Sequence, residues 1–242
     1  MVSSAPRRTP REVRHDDNER RILDAALTLV SDVGFDGLSM SRLASAVGFT
    51  PGALYRYFDS KDVLLAKIIE SALAAVRATL TQALDRLPEG ACPLARVFAI
   101  AFSYREFARE RPNEFGLLAM SMAAPRIVLQ DPKEGAAVAG RMMLTFSPLS
   151  DAFEDAQATG RLTKGDVPER ALCLFAIVQG TLQLHKQARF AEALLDLDRL
   201  TEKGVSALLA GWGASPAAIA GAVSAARGTR QTTTAARHGG SK

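Results

Sequence analysis

The fold is decided by residues 40–61, MSRLASAVGFTPGALYRYFDSK, which contain the strongest structural signals in the chain. Ser39 is a plausible N-cap of a first helix, and Gly48 ends it because glycine readily takes the positive φ of a helix stop. Thr50 and Pro51 then combine a hydroxyl cap with a proline at the first helical position, a typical start signal. The stretch therefore predicts two short helices joined by a tight turn.

The second of these helices has an apolar side and a polar side. Leu54 and Phe58 lie four residues apart and face inward, whereas Tyr55 and Arg56 point outward or sideways. Phenol and guanidinium groups reach base edges or phosphates, and small residues at a helix start allow close approach to a DNA backbone. This layout is typical of a helix-turn-helix whose second helix enters the major groove. From spacing alone, a solvated helical hairpin within an ordinary helical domain is an equally good interpretation.

The residue string favours the first interpretation. Residues 53–58, ALYRYF, followed by SK at 60–61 and LL at 64–65, closely resemble the LYxHFxSKxxLL segment of TetR-type (tetracycline-repressor-like) transcriptional regulators. Upstream, ILDAA at 22–26 and GFDGLS at 34–39 are similar to the family's first helix and following loop. The resemblance covers about residues 19–67. Tyr57 departs from the family, since histidine is commonest at that position.

The resemblance implies an all-α fold of about nine helices, with an N-terminal three-helix helix-turn-helix head on a larger C-terminal helical body for ligand binding and dimerisation. The abundance of alanine and leucine also favours helix. The predicted divisions are a disordered basic arm at 1–16, a DNA-binding domain at 17–62, an effector-binding and dimerisation domain at 63–213, and a largely disordered Ala/Gly/Thr-rich basic tail at 214–242.

The positions that match the family's motif imply the DNA-contacting residues. Arg56 is expected on a base edge or a phosphate, and Lys61 on a phosphate. The full set is Met40, Ser41, Thr50, Pro51, Gly52, Tyr55, Arg56, Tyr57 and Lys61. The implied partner is a palindromic double-stranded DNA operator, bound by a repressor that a small, largely apolar effector releases.

The positive charge of the chain is concentrated at its two ends. Residues 1–15 contain four arginines and one glutamate, and residues 227–242 contain four cationic side chains without an acid. Because the whole chain has a net charge of only +4, the residues between are slightly acidic. DNA contact must therefore be local. The arm at 1–16 is either a minor-groove contact or, more simply, a solubilising leader.

Helical periodicity and stop signals predict the remaining helices. We expect them at about 17–33, 61–87, 93–111, 113–122, 135–158 with a kink near Pro148, 166–190 and 196–209. The resemblance implies that the helix at 61–87 is the lever between the ligand site and the DNA site.

The helix at 166–190 is apolar nearly all round between residues 171 and 184, so it must be covered on more than one side. The resemblance implies that this helix and the last one pair with their copies in a second subunit, forming a four-helix homodimer interface. The expected interface residues are Ala171, Leu174, Val178, Leu182, Leu200, Gly204 and Leu208. The alternative is one buried core helix in a monomer.

The body also contains a set of aromatic and methionine residues that suits an apolar effector, with one polar group to orient it. The candidates are Phe98, Phe102, Phe115, Met120, Met143, Phe146, Phe175 and Gln179. For each residue singly, core packing is the simpler interpretation. The effector cavity itself is implied by the resemblance.

Catalytic and metal-binding patterns are not found in the sequence. His185 is the only histidine on a predicted helix, and no GxSxG, HExxH, phosphate-binding glycine loop or EF-hand loop occurs. We therefore expect a protein that is not an enzyme and uses no cofactor or metal. Cys92 and Cys173 suggest reduced thiols in a cytoplasmic protein, and no apolar run is long enough for a membrane span. The alternative functions are a helical small-molecule-binding protein or enzyme, and a protein-interaction module that uses the same helical hairpin.

Overall fold

The computed structural model describes residues 9–124, 126–185, 190 and 195–238, with side chains up to residue 228. These residues form ten helices and no strand, which confirms the expected all-α class. The helices are α1 (Pro10–Gly37), α2 (Met40–Val47), α3 (Pro51–Leu54), α4 (Lys61–Asp85), α5 (Pro93–Glu110), α6 (Pro112–Ala123), α7 (Pro132–Ala158), α8 (Val167–Gln183), α9 (Leu197–Gly211) and α10 (Pro216–His238).

The start of α1 corrects the prediction of a disordered arm up to residue 16. Thr9 and Glu12 form a reciprocal capping box: the Thr9 hydroxyl accepts from the Glu12 N–H at 3.3 Å, and the Glu12 carboxylate accepts from the Thr9 N–H at 2.7 Å. This cap, with Pro10 at the first helical position, begins the helix well before the predicted residue 17. Residues 1–8 lie outside the described residues. Gly34 has φ of 71° and breaks α1 at the predicted place, although one more helical turn follows it.

The caps of α2 and α3 are the ones that the sequence predicts. The Ser39 hydroxyl accepts from the N–H of Arg42 at 3.2 Å, and Gly48 takes the left-handed conformation with φ of 73°. The Thr50 hydroxyl accepts from the N–H of Ala53 at 3.2 Å. The local hydrogen bonds therefore fix both the turn and the start of α3.

The C-terminal tail, which was expected to be largely disordered, contains a continuous helix, α10, over Pro216–His238. The Ser215 hydroxyl caps it by accepting from the N–H of Ala218 at 3.2 Å. Ala222 and Ala226 are buried, and α10 packs against α5. Small side chains allow this close packing, although their hydrophobicity alone does not predict a buried face.

Two further boundaries differ from the prediction. α7 begins at Pro132, because the Asp131 carboxylate accepts from the backbone N–H of Lys133 at 2.8 Å and starts the helix before residue 135. α8 ends at Gln183 and not near residue 190. Residues 186–189 of the predicted helix lie outside the described residues.

The contacts divide the chain into two compact units. Unit 1 consists of Met1–Ala72 and Asn113–Ala139, and unit 2 of Leu73–Pro112 and Gly140–Lys242. The division differs from the predicted boundary at residue 62, since the first part of α4 and nearly all of α6 group with the N-terminal helices. The core of unit 1 contains apolar side chains from α1 to α4, including Ile22, Val30, Leu43, Leu54, Phe58 and Leu65. The core of unit 2 is centred on α5, which packs against α8, α9 and α10.

Candidate nucleic-acid interface and body site

The short helix α3 is anchored on one side and exposed on the other. Leu54 and Phe58 are fully buried in unit 1, whereas the Tyr55 side chain is 48% exposed. The other exposed residues of the predicted DNA-binding set are Ser41, Thr50, Pro51, Gly52 and Arg56. The structure thus leaves a guanidinium, a phenol, two hydroxyls and a glycine available at the start of α2 and along α3.

Met40 is placed differently from the prediction. Its side chain is buried in the core of unit 1, so it cannot contact DNA. The apolar thioether begins the buried stripe of α2 that continues with Leu43 and Val47. What Met40 can offer to a phosphate is its backbone N–H, which lies at the N-terminus of α2.

Tyr57 is a packing residue in this structure. Its half-buried ring stacks on the imidazole of His15, with centroids 4.7 Å apart and planes at 14°, and on the ring of Phe49 at 6.0 Å. Its hydroxyl accepts a hydrogen bond from Nδ2 of Asn18 at 3.1 Å. Tyr57 therefore connects the segment after α3 to α1, and its hydroxyl already has a protein partner.

The ammonium of Lys61 also has a protein partner. Its Nζ donates to the backbone carbonyl of Phe35 at 2.9 Å, which satisfies a carbonyl near the end of α1. Since an ammonium has three N–H donors, a phosphate contact at Lys61 remains compatible with this bond.

Arg42 was missed in the sequence. It is exposed in the first turn of α2, next to Ser41, and its Nη1 donates to the carbonyl of Gly37 at 3.3 Å. Its position directly after Ser41, a predicted DNA contact, could have identified it in the sequence. Arg11 and Arg14 are likewise exposed on the first turns of α1, the helix that carries His15 and Asn18.

In unit 2, three of the predicted effector residues come together with one that was not predicted. The rings of Phe146 and Phe175 lie 4.9 Å apart, and each lies 6.0 Å from the ring of Tyr104. The Tyr104 hydroxyl donates to Oε1 of Gln179 at 2.8 Å. We call Tyr104, Phe146, Phe175 and Gln179 the aromatic–amide cluster. Periodicity places Tyr104 on the buried stripe of α5, but no local pattern pairs it with Gln179 on α8.

The remaining effector candidates are buried on α5, assigned to unit 1, or exposed. Phe98 and Phe102 are buried on α5 with ring centroids 5.7 Å apart. Phe115 and Met120 belong to unit 1. Met143 is 66% exposed, so its side chain lies on the surface and the prediction that it lines a cavity is wrong.

The aromatic–amide cluster contains an unusual polar arrangement. Gln179 is only 6% exposed, and its Nε2 has no hydrogen-bond partner among the residues that the structure describes. Burial raises the pKa of the Tyr104 phenol above its ordinary value, so the hydroxyl stays protonated and keeps its proton for Gln179.

Three of the predicted dimer residues lie on the core face of α8. Leu174, Val178 and Leu182 are buried within the single chain, so they form its own core. Gly204 on α9 is also an internal contact, since a Cβ there would lie 2.6 Å from Cγ2 of Ile177. Ala171, Leu200 and Leu208 are half-buried.

The opposite face of α8 is apolar and uncovered. Leu172 is 62% exposed, and Cys173, Ala176 and Gly180 are exposed beside it. On α9, Ala207 and Ala210 are exposed and also line an open groove of about 850 Å³ between α9 and α10. None of the predicted effector residues lines that groove.

The described part of the chain gives no sign of two other kinds of site. No helix there is long and apolar enough to cross a membrane. Likewise, the side chains described in the structure include no group of three or more His, Cys, Asp or Glu placed to hold a metal ion.

Helices α2 and α3 with these caps, followed by the exposed Tyr55 and Arg56, form a helix-turn-helix. Residues 22–68 match the model of the tetR family of bacterial regulatory proteins, and residues 97–208 match the tetracyclin repressor-like C-terminal domain. The chain belongs to the TetR family.

Individual relatives agree with this assignment. The nucleoid occlusion factor SlmA of Haemophilus ducreyi is 35% identical over 100 residues, which are 40% of this chain and 47% of the relative. The chain thus spans about half the length of the SlmA relative that it matches. The HTH-type transcriptional regulator UidR of Escherichia coli K12 is 24% identical over 185 residues, or 72% of this chain and 87% of that protein.

The fold is also that of solved structures. The crystal structure of AibR in complex with isovaleryl coenzyme A and operator DNA has a TM-score of 0.62 at 21% sequence identity. The match covers 79% of this chain and 98% of AibR. At this identity, the likeness concerns the fold.

Proposed function

We propose that this chain is a homodimeric transcriptional regulator that binds a palindromic DNA operator through α2 and α3 and releases it when a small, largely apolar effector binds. One observation carries the proposal: Tyr55 and Arg56 are exposed in the turn that follows α3, while Leu54 and Phe58 anchor this segment in the core of unit 1. Membership of the TetR family supports it. UidR is named as a transcriptional regulator, and AibR has been solved with both operator DNA and a small molecule.

The exposed groups of unit 1 suit the two tasks of a DNA contact. Arg56 is long enough for a guanine edge or a phosphate, and Tyr55 offers a donor and an apolar ring. Ser41, Thr50, Pro51 and Gly52 lie at helix starts, where backbone N–H groups approach phosphates closely. Lys61 adds a cation for a phosphate. In this arrangement Tyr57 orients the segment after α3 and Met40 contributes its backbone N–H.

Dimerisation would use the uncovered faces of α8 and α9. A Leu172 that is 62% exposed beside Ala176 and Gly180 leaves apolar surface in water, and pairing with a second copy removes it. Glycine and alanine permit close approach of two helices. A symmetric dimer presents two α3 helices, which match half-sites about one DNA turn apart.

The effector would bind in unit 2, at the aromatic–amide cluster. A ligand changes operator affinity only if it binds the DNA-free and DNA-bound conformations unequally. α4 is one helix whose residues belong to both units, so it is the physical connection for such coupling. Couplings of this kind are typically about 1–3 kcal/mol. We further propose that the protein acts in the cytoplasm, with no catalytic step of its own.

An electrophoretic mobility shift with the DNA upstream of its own gene tests the proposal. Arg56→Ala is expected to weaken operator binding by about 1–3 kcal/mol if the guanidinium contacts a base. Lys61→Met is expected to weaken all DNA sequences alike and to lower the salt slope by about one. Arg161→Ala, an exposed arginine of unit 2, is the matched control and should change nothing. Wild-type protein that shifts no DNA from that region or from a random operator library would overturn the proposal.

A further inference from the structure

The aromatic–amide cluster contains a buried hydrogen-bond donor without a partner. Nε2 of Gln179 is enclosed in unit 2 and donates to no described atom, although the residue is more than nine-tenths buried. An unsatisfied buried amide lowers stability, and a leucine would fill a similar volume without that loss. An unpaired buried donor of this kind indicates a binding site in which a ligand supplies the hydrogen-bond acceptor.

Tyr104 determines which end of the amide faces that partner. Its hydroxyl occupies Oε1 of Gln179 at 2.8 Å. Because burial raises the pKa of this phenol, the hydroxyl remains a donor throughout the physiological range. The amide oxygen is therefore engaged, and the two N–H groups of Nε2 are what Gln179 offers. Such a site donates a hydrogen bond to a ligand oxygen and discriminates against a ligand that can only donate.

The neighbouring side chains define the shape and charge of the ligand. Phe146 and Phe175 meet at 60° with centroids 4.9 Å apart, and both are half-buried, so part of each ring is accessible. Aromatic faces and edges pack well against a flat, conjugated molecule. The cluster itself contains no charged group, and the neighbouring guanidinium of Arg105 is paired with Asp198. A buried carboxylate without a cation would be strongly unfavourable.

Building on the proposed regulator function, we propose that the effector is an uncharged, planar, conjugated molecule whose carbonyl oxygen accepts a hydrogen bond from Nε2 of Gln179 while its rings contact Phe146 and Phe175. The carbonyl supplies the acceptor that the amide lacks. The flat body replaces water at the accessible ring surfaces. Aryl ketones, aryl amides and similar neutral carbonyl compounds belong to this class.

Matched probes that differ only in the carbonyl test the proposal. The pairs are 2-acetylnaphthalene with 2-ethylnaphthalene, and acetophenone with ethylbenzene, each titrated into the full-length protein by calorimetry. In at least one pair the ketone is expected to bind about tenfold or more tightly, because the alkyl probe leaves the buried donor unpaired. 2-Naphthoate, which has an acceptor but also a charge, should bind more weakly than the ketone of the same size.

Variants assign the preference to Gln179. Gln179→Leu should reduce the ketone preference to about one while retaining the helical circular dichroism of the wild type. Gln183→Leu, at an exposed position of the same helix, is the control and should keep the preference. Tyr104→Phe frees the amide oxygen, so the donor probe 2-naphthol should gain affinity relative to the ketone.

The outcomes separate this inference from the proposed function. A protein that binds its operator but binds neither ketone, or binds ketone and alkyl probe equally, overturns the assignment of ligand class and leaves the regulator intact. An unchanged preference in folded Gln179→Leu also overturns it. Failure to bind any operator refutes the proposed function, while a Gln179-dependent ketone preference would still establish the binding site.

Discussion

The segment formed by α3 and the turn after it, residues 51–58, differs from α8 in how its polar residues are distributed. This difference decides how much each segment reveals about its surroundings. α3 is one turn long and separates a buried Leu54 from an exposed Tyr55. α8 has leucines on both sides, since Leu174 is buried and Leu172 is exposed. Polar contrast identifies the outward face of α3. In α8, the face against the core and the face left uncovered have the same chemistry.

The comparison shows that an apolar helix has two kinds of apolar face. One face stabilises the folded chain, and the other is available to a partner. Substitutions on the core face of α8 should therefore lower the stability of the chain, whereas those on its uncovered face should weaken dimerisation. Substitutions around α3 should affect a smaller, more local set of contacts.

The largest effect is expected for Leu182→Glu on the core face of α8. Leu182 is only 4% exposed, and a carboxylate buried there without a partner should lower the free energy of unfolding by about 4 kcal/mol. Chemical denaturation followed by circular dichroism measures this. The adjacent Gln183→Glu is exposed and should remain within about 0.5 kcal/mol of the wild type. Unchanged stability of Leu182→Glu would show that the two faces of α8 have been exchanged.

The next largest effect is expected for Ala176→Glu on the uncovered face. The variant should fold with nearly wild-type stability, but a charge placed in an apolar interface should weaken dimerisation by about a hundredfold, or about 2.7 kcal/mol. Sedimentation velocity at micromolar concentration measures it. Ala217→Glu, exposed on α10, is the control. A wild-type protein that sediments as a monomer would contradict the assignment.

A smaller effect is expected at the cap of α3. Thr50→Ala removes the hydroxyl that accepts from the N–H of Ala53, which should cost about 1 kcal/mol of stability in unit 1. Thr50→Ser keeps the hydroxyl and should behave like the wild type. Hydrogen exchange of unit 1 amides reports the local loss. Equal exchange in both variants would mean that the cap does not hold α3.

The smallest effect is expected for Tyr57→Phe. Loss of the hydrogen bond from Asn18 should reduce stability by about 0.5–1 kcal/mol, while the ring stack with His15 is kept. Because the hydroxyl is engaged within the protein, operator affinity should change less than for Tyr55→Phe. A double variant with Asn18→Ala should not be additive. A loss of operator affinity larger than that of Tyr55→Phe would restore Tyr57 as a DNA contact.

The helix-turn-helix could be predicted because its determinants are local. Ser39, Gly48 and Thr50 act within four residues of themselves, and the alternation of Leu54 with Tyr55 gives the facing of α3. Sequence also predicted the apolar character of α8, because composition alone shows it.

What the sequence did not reveal depends on distant partners. The hydroxyl of Tyr57 is bound by a residue 39 positions earlier, and Tyr104 is paired with a residue 75 positions later. The burial of Ala222 in α10 depends on the close approach of α5, which small side chains permit but do not specify. The sequence does not show which face of α8 packs against the core, because the two faces are equally apolar.

Because α3 is only four residues long, the local stability of the segment expected to contact DNA differs from the stability of unit 1 as a whole. A single helical turn has no independent stability in water, so Pro51–Leu54 keeps its shape only while Leu54 and Phe58 remain packed. Opening of this turn needs the release of two side chains and not the unfolding of unit 1. On warming, operator binding should therefore disappear before the helical signal does. The temperature range in which this regulator functions is set by the local opening of one helical turn.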